Sequence, residues 1–139
     1  MLLVADANVL ISGFLRDGLT RQLWLNTNIN LFAPEFIINE FLEHSEEFFT
    51  RTGLDDHQNR LLLSKLLDEL SIVKKEETLV YLKPARTLVT DPDDEEYFAC
   101  ALAVGADLWS HDRHLKNNRI RCWSTKELAQ HFGYIKETT

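Results

Sequence analysis

The chain opens with Met1-Leu2-Leu3-Val4-Ala5-Asp6-Ala7-Asn8, in which an apolar run passes directly into an aspartate. A short apolar run of this kind predicts a buried strand that ends at Asp6. Strands buried on both faces are typical of parallel sheets that are covered by helices. The first acid of the chain therefore stands at the end of a strand that we expect inside the core.

Further apolar segments alternate with helical patterns from this strand to the end of the chain. Strands are predicted at 29–33, 71–73, 107–110 and 120–123. Helices are predicted at 8–14, 20–25 with Thr20 as its cap, 34 to about 50, 58–70, 91–104 and after Ser124, with a short helical turn at 111–116. Residues 76–89 stay ambiguous because Pro84 interrupts them. The alternation predicts one domain over residues 1–139, a three-layer α/β/α fold with a central, mostly parallel sheet.

The composition is that of a compact domain. Apolar residues make up 45% of the 139 residues, against 5 glycines and 3 prolines, which excludes disordered and collagen-like classes. The 2 cysteines form no CxxC pair, which indicates buried thiols in a reducing compartment. The first residues lack the basic start of a secretory leader, and no apolar run is long enough to span a bilayer. We expect a cytoplasmic domain, and its net charge of −7 argues against nucleic-acid binding by bulk positive charge.

Four carboxylates are predicted to meet at one edge of the sheet. Asp6 and Asp112 each follow a strand, and ligands of parallel sheets bind outside the carboxyl ends of the strands. Asp94 lies in the first turn of its helix, and Glu40 lies about two turns into the helix after the second strand. Four carboxylates in one place repel each other, which Mg²⁺ or Mn²⁺ would relieve through oxygen ligands.

Each of these acids also has an ordinary structural explanation. Asp6 and Asp112 could cap the helix or turn that follows them. Asp94 could simply stabilise the N-terminus of its helix with its negative charge, and Glu40 could be a solvated helix residue. The convergence of all four on one edge favours a site.

Four segments of the sequence resemble the motifs of PIN domains, in the same order and at similar spacing across nearly the whole chain. They read DANVLIS at 6–12, PEFIINEFL at 34–42, DPDDEEYFACA at 91–101 and LWSHDRHL at 108–115. The resemblance implies a metal-dependent ribonuclease with Asp6, Glu40, Asp94 and Asp112 as catalytic metal ligands. The commonest small stand-alone PIN domains are VapC-type toxins of prokaryotic toxin–antitoxin pairs, which implies an antitoxin as partner.

Two positions depart from the PIN pattern. Glu95-Glu96 replace a small residue and proline, which leaves Asp91 and Asp93 open as ligands beside Asp94. His111 replaces a small residue before the last aspartate, and its role stays open between metal, substrate and neither.

The predicted mechanism needs further residues around the carboxylates. One or two Mg²⁺ or Mn²⁺ ions would activate water for in-line displacement at phosphorus. Side chains that would orient the carboxylates or water are Asn8, Ser12 and Ser110. A basic strip that would hold the RNA backbone consists of Arg113, Lys116, Arg119 and Arg121, although a solvated surface explains it equally well. His44 stands four residues after Glu40, where a solvated helix face is the simpler interpretation.

An excess of leucine predicts a homodimer. The helix 58–70 carries more leucines than one core-facing stripe needs, and residues 23–25 add a second apolar run. Its leucines are Leu61, Leu62, Leu63, Leu66, Leu67 and Leu70. The resemblance also implies a homodimer, because PIN domains of this size are often dimers.

Two other function classes compete with a nuclease. A PIN-like interaction module without strong catalysis would be expected to lack one acid of the set. A receiver-like domain would use Asp6 as a phosphoryl acceptor and needs a lysine after a late strand, where Lys116 follows a turn instead.

Overall fold

A computed structural model describes residues 1–112 and 119–136. Five strands form one sheet: β1 (Leu2–Ala5), β2 (Asn30–Pro34), β3 (Leu70–Val73), β4 (Asp107–Trp109) and β5 (Cys122–Trp123). Their order is β3-β2-β1-β4-β5, and every pair is parallel. A receiver-type domain has the order 2-1-3-4-5, so this topology excludes the receiver-like alternative.

Helices connect the strands on both faces of the sheet. They are α1 (Ala7–Leu15), α2 (Leu19–Trp24), α3 (Glu35–Glu43), α4 (Ser45–Phe49), α5 (Asp56–Asp68), α6 (Lys75–Thr78), α7 (Leu82–Arg86), α8 (Glu95–Val104) and α9 (Thr125–His131). Two 3₁₀ turns, Leu79–Tyr81 and Pro92–Asp94, precede α7 and α8. The ambiguous segment with Pro84 is therefore a chain of short helical pieces, in which the proline occupies the first turn of α7.

The alternating side chains of the strands divide the interior into two cores. Leu3 and Ala5 face a core shared with α1, α2, α3, α5 and α9, whereas Val4 faces a second core shared with α8. The three-layer α/β/α prediction is thus confirmed, with a sheet that is wholly parallel in the described residues. None of the helices described here is long and apolar enough to cross a membrane.

Local sequence signals fix several helix ends as predicted. Asp55 with Gln58, and Ser124 with Glu127, form capping boxes at the starts of α5 and α9. Gly105 ends α8 in the left-handed conformation, with φ of 69°, which favours glycine.

Two predicted helix features are wrong. The helix predicted from 34 to about 50 breaks at His44, and the bend lets Phe48 pack on Phe41 with 5.0 Å between ring centroids. Thr20 does not cap α2, because Gly18 holds the cap position and Thr20 lies inside the helix. The short turn predicted at 111–116 lies mostly outside the described residues.

The early apolar run at 23–25 lies in the core rather than on an interface. Leu23 and Trp24 are buried, and the indole N–H of Trp24 donates to the Leu66 carbonyl at 3.0 Å. Gly13 leaves room for the Trp24 ring in this position, because a Cβ added to Gly13 would lie 2.8 Å from that ring. Packing within the monomer therefore explains the apolar run at residues 23–25.

Candidate functional site

Asp6 lies at the carboxyl end of the central strand β1 and is 7% exposed. Its Oδ1 accepts the Val9 N–H at 2.8 Å, so it is the N-cap of α1. Its backbone N–H donates to the Trp109 carbonyl of β4 at 3.2 Å. The capping explanation is correct, and it leaves the second carboxylate oxygen directed at the loop after β4.

Ser110 connects Asp6 to the segment that carries Asp112. Its buried hydroxyl donates to Asp6 Oδ2 and accepts the Asp112 backbone N–H at 2.9 Å. One hydroxyl therefore orients the first carboxylate and shapes the turn that presents the last one. The structure brings these three residues together at the carboxyl edge of β1 and β4.

The environment of Asp6 disfavours its negative charge. Burial raises the pKa of this carboxyl, and the nearby Asp112 adds to the increase. The hydrogen bonds from Ser110 and Val9, and the charge of His111, act in the opposite direction without cancelling the burial. A cation bound here would favour the ionised carboxylate.

Tyr97 connects the segment of Asp94 to the start of α1. Its hydroxyl accepts the Ala7 N–H at 2.9 Å, at the residue directly after Asp6. Burial raises the pKa of this phenol, and the charges of Asp6, Glu40 and Asp94 raise it further. The charges of all three acids act on this one hydroxyl, and its hydrogen bond joins the segment of Asp94 to the residue that follows Asp6.

The acids near Asp94 occupy different positions. Asp91 caps the 3₁₀ turn through its side chain, which accepts the Asp93 N–H at 3.0 Å. Asp91 and Asp93 are exposed, whereas Asp94 is half-buried at the last position of the turn. Of these three acids, Asp94 is the one whose charge acts on Tyr97.

His111 is held by a hydrogen-bonded chain that the sequence did not indicate. Its Nε2 lies 2.9 Å from Thr125 Oγ1, which also accepts the Trp109 indole N–H at 3.0 Å. Trp109 and Thr125 are both buried, so the imidazole is anchored from the core. His111 thereby stays close enough to Asp6 for its charge to affect that carboxyl.

The remaining candidates for orienting roles lie around this edge. Asn8 is exposed in the first turn of α1, and Ser12 is half-buried one turn later. Exposed His44 lies 3.9 Å from Glu47, consistent with a solvated helix face.

The basic strip is only partly within the described residues. Arg113 and Lys116 lie outside them. Arg119 is exposed, and the Arg121 guanidinium stacks 3.6 Å from the centre of the Trp123 ring. Arg121 precedes β5, and its carbonyl accepts the Leu108 N–H, so it lies toward the amino end of the sheet rather than at the carboxylates.

A cleft of about 400 Å³ opens at the carboxyl ends of β2 and β3. Pro34 and Val73 form its strand side, while Asn39 and Glu96 come from helices that also carry the neighbouring carboxylates. The cleft lies at the carboxyl ends of the strands, the edge where Asp6 also lies, although Asp6 and Asp94 do not line it.

The donor chemistry at this edge fits a hard divalent cation. In residues 1–112 and 119–136, no three His, Cys, Asp or Glu side chains form a ready metal cage. Mg²⁺ does not require one, because it usually keeps several waters and binds through one or two carboxylates. Asp6 and Asp112, whose segments Ser110 joins, supply oxygen donors of the kind that such an ion prefers.

The chain matches known proteins in family and in fold. The family model for the PIN domain matches residues 4–133. Among solved structures, the chain resembles VapBC2 from Rickettsia felis bound to a DNA fragment from their promoter, with a TM-score of 0.65 and 17% sequence identity. The match covers 89% of this chain and 98% of that chain, and at this identity it shows the fold. No curated protein matches significantly.

Proposed function

This chain belongs to the PIN domain family, and we propose that it is a Mg²⁺- or Mn²⁺-dependent endoribonuclease, the toxin of a cytoplasmic toxin–antitoxin pair. The observation that carries this proposal is the meeting of three carboxylate-bearing segments at Tyr97, with the fourth joined through Ser110. Acids grouped around a buried side chain with a shifted pKa are typical of functional sites.

Each carboxylate has a distinct task in the proposed reaction. An ion bound here would supply positive charge at the phosphoryl oxygens and acidify a coordinated water. Asp6 would be the fixed ligand, because Val9 N–H and Ser110 hold its two oxygens. Glu40 would reach the site on a longer, exposed side chain, and Asp94 and Asp112 would complete the ligand set from their own turns.

The RNA backbone is proposed to follow the basic strip after Asp112. Arg113 and Lys116 follow Asp112 most closely in the sequence, so they are proposed to make the main contacts with the RNA backbone. Arg119 and Arg121 would contact RNA farther along, since Arg121 is already stacked on Trp123 toward the other end of β5. Phosphate contacts of this kind position a strand without reading its sequence.

Protein partners follow from the fold neighbour and from the remaining apolar surface. The solved structure that the chain resembles is VapBC2 bound to a DNA fragment from their promoter, and an antitoxin is the corresponding partner proposed here. A homodimer is proposed through α5, where Leu61 is 58% exposed and Leu62, Leu63 and Leu67 are half-buried. Light scattering at micromolar concentration tests the dimer, and a stable monomer mass would contradict it.

A cleavage assay on single-stranded RNA with Mg²⁺ or Mn²⁺ tests the activity. We expect cleavage that EDTA abolishes and that Asp6→Asn reduces by about 100-fold or more, equal to about 2.7 kcal/mol of transition-state stabilisation. Asparagine caps a helix as well as aspartate does, so this variant should keep its fold.

Asp17→Asn is the matched control, because Asp17 is an exposed acid beyond the end of α1. It should keep full activity. Cleavage that survives EDTA, or an Asp6→Asn protein as active as the wild type, would contradict the proposal. A wild-type protein that binds Mn²⁺ without cleaving RNA would instead favour the interaction module.

A further inference from the structure

Tyr97 is the side chain on which the carboxylate-bearing segments meet. It lies one turn after Asp94, near the start of α8. Its hydroxyl accepts the N–H of Ala7, the first residue of α1 and the neighbour of Asp6. One side chain thus joins the segment of the third acid to the segment of the first.

The ring of Tyr97 contacts the segment of Glu40 as well. It packs edge-on against Phe36, with 6.0 Å between the ring centroids. Phe36 lies in α3 four residues before Glu40, so the two share one face of that helix. Tyr97 therefore connects all three segments. It lies in the segment of Asp94, its ring packs on the segment of Glu40, and its hydroxyl binds the segment of Asp6.

The hydrogen bond to Ala7 fixes the hydroxyl at the first residue of α1. The backbone N–H groups in the first turn of a helix have no partner within the helix. The Tyr97 oxygen supplies that partner to Ala7, so the hydroxyl ties the start of α1, directly after Asp6, to α8.

We propose that Tyr97 is the positioning residue of this site, because its hydroxyl binds the Ala7 N–H directly after Asp6 and its ring packs on Phe36 in the helix of Glu40. The inference rests on the proposed function in taking these acids as the binding group for a divalent cation. Tyr97 acts by holding the acids at the spacing that the cation requires, and it does not touch the RNA.

The test is Tyr97→Phe, which keeps the ring against Phe36 and removes the hydroxyl alone. Mn²⁺ affinity is measured by titration calorimetry on the full chain, and kcat and KM on single-stranded RNA. We expect Mn²⁺ affinity to fall about 10- to 100-fold, as for other groups that orient metal ligands. At saturating Mn²⁺ we expect a lower kcat with KM for RNA unchanged.

Tyr134→Phe is the matched control, because its hydroxyl also accepts one hydrogen bond, from Asn26 Nδ2 at 3.0 Å, at a site without the proposed ligands. This variant should bind Mn²⁺ like the wild type. If Tyr97→Phe does not fold, Phe36→Leu loosens the same ring while keeping the hydroxyl, and it must also weaken Mn²⁺ binding.

The outcomes separate this inference from the proposed function. Wild-type Mn²⁺ affinity in a folded Tyr97→Phe protein, or a wild-type chain that binds no Mn²⁺, overturns the inference. Mn²⁺ binding that weakens in Tyr97→Phe, in a protein that never cleaves RNA, supports the inference while the ribonuclease proposal fails.

Discussion

Ser110→Ala removes the hydroxyl that joins Asp6 to the turn of Asp112. The side chain is 2% exposed, so water cannot easily replace it. Two interactions are lost, the donation to Asp6 Oδ2 and the acceptance of the Asp112 N–H. A hydrogen bond to a charged group contributes about 1.5–3 kcal/mol, and a neutral one about 1 kcal/mol. Because the two share one atom, we expect a loss of about 2–4 kcal/mol in the free energy of unfolding.

The loss should depend on pH in a defined direction. Burial raises the pKa of Asp6, and the Ser110 hydrogen bond opposes that increase. An acid whose pKa is higher in the folded state lowers stability as the pH rises past its unfolded value of about 3.9. Without Ser110 the pKa rises further, so Ser110→Ala should cost most at neutral pH and less as Asp6 becomes protonated in acid.

Urea unfolding followed by tryptophan fluorescence, at neutral pH and near pH 4, measures both effects. Ser64→Ala on the exposed surface of α5 is the control and should change stability by less than about 0.5 kcal/mol. A Ser110→Ala protein within 0.5 kcal/mol of the wild type, or one that loses more stability in acid than at neutral pH, would refute the reasoning.

Three further predictions concern the cation, the core and the thiols. Mg²⁺ at 100 times its Kd should stabilise the folded protein by about 2.7 kcal/mol and so raise the melting temperature. An unchanged melting temperature would argue against a cation site. Gly13→Ala should destabilise by about 1–3 kcal/mol in urea unfolding, because its Cβ would meet the Trp24 ring at 2.8 Å; Gly18→Ala, with nothing within 4 Å, should cost less. Burial raises the pKa of the Cys100 thiol to about 12, so a disulfide reagent at pH 8 should modify it only after unfolding, and rapid labelling in the native state would contradict this.

Local signals predicted the features that depend on neighbours in sequence. The apolar run before Asp6, the capping boxes at Asp55 and Ser124, and the stop at Gly105 all depend on residues within one turn. The α/β/α architecture followed from the alternation of these elements. The convergence of all four acids at the carboxyl edge stays a prediction from the parallel sheet, of which the structure describes the connection from Asp6 through Ser110 to Asp112.

Features that depend on distant contacts did not emerge from the sequence. The break at His44 exists because Phe48 packs on Phe41, and helix propensity carries no trace of that contact. The leucine count could not distinguish core from surface, since Leu66 is buried and Leu61 exposed on the same helix. Tyr97 reads as an ordinary aromatic residue of an apolar helix until its hydroxyl is seen at Ala7.

The partners of β1 have a consequence for how the protein is made. Asp6 is synthesised well before Ser110, because their contact spans 104 positions along the chain. The central strand pairs on one side with β2 and on the other with β4, so half of its hydrogen bonds await residues 107–109. A nascent chain therefore holds an incomplete sheet until β4 has been made, and the contact between Asp6 and Ser110 forms only after residue 110 has left the ribosome.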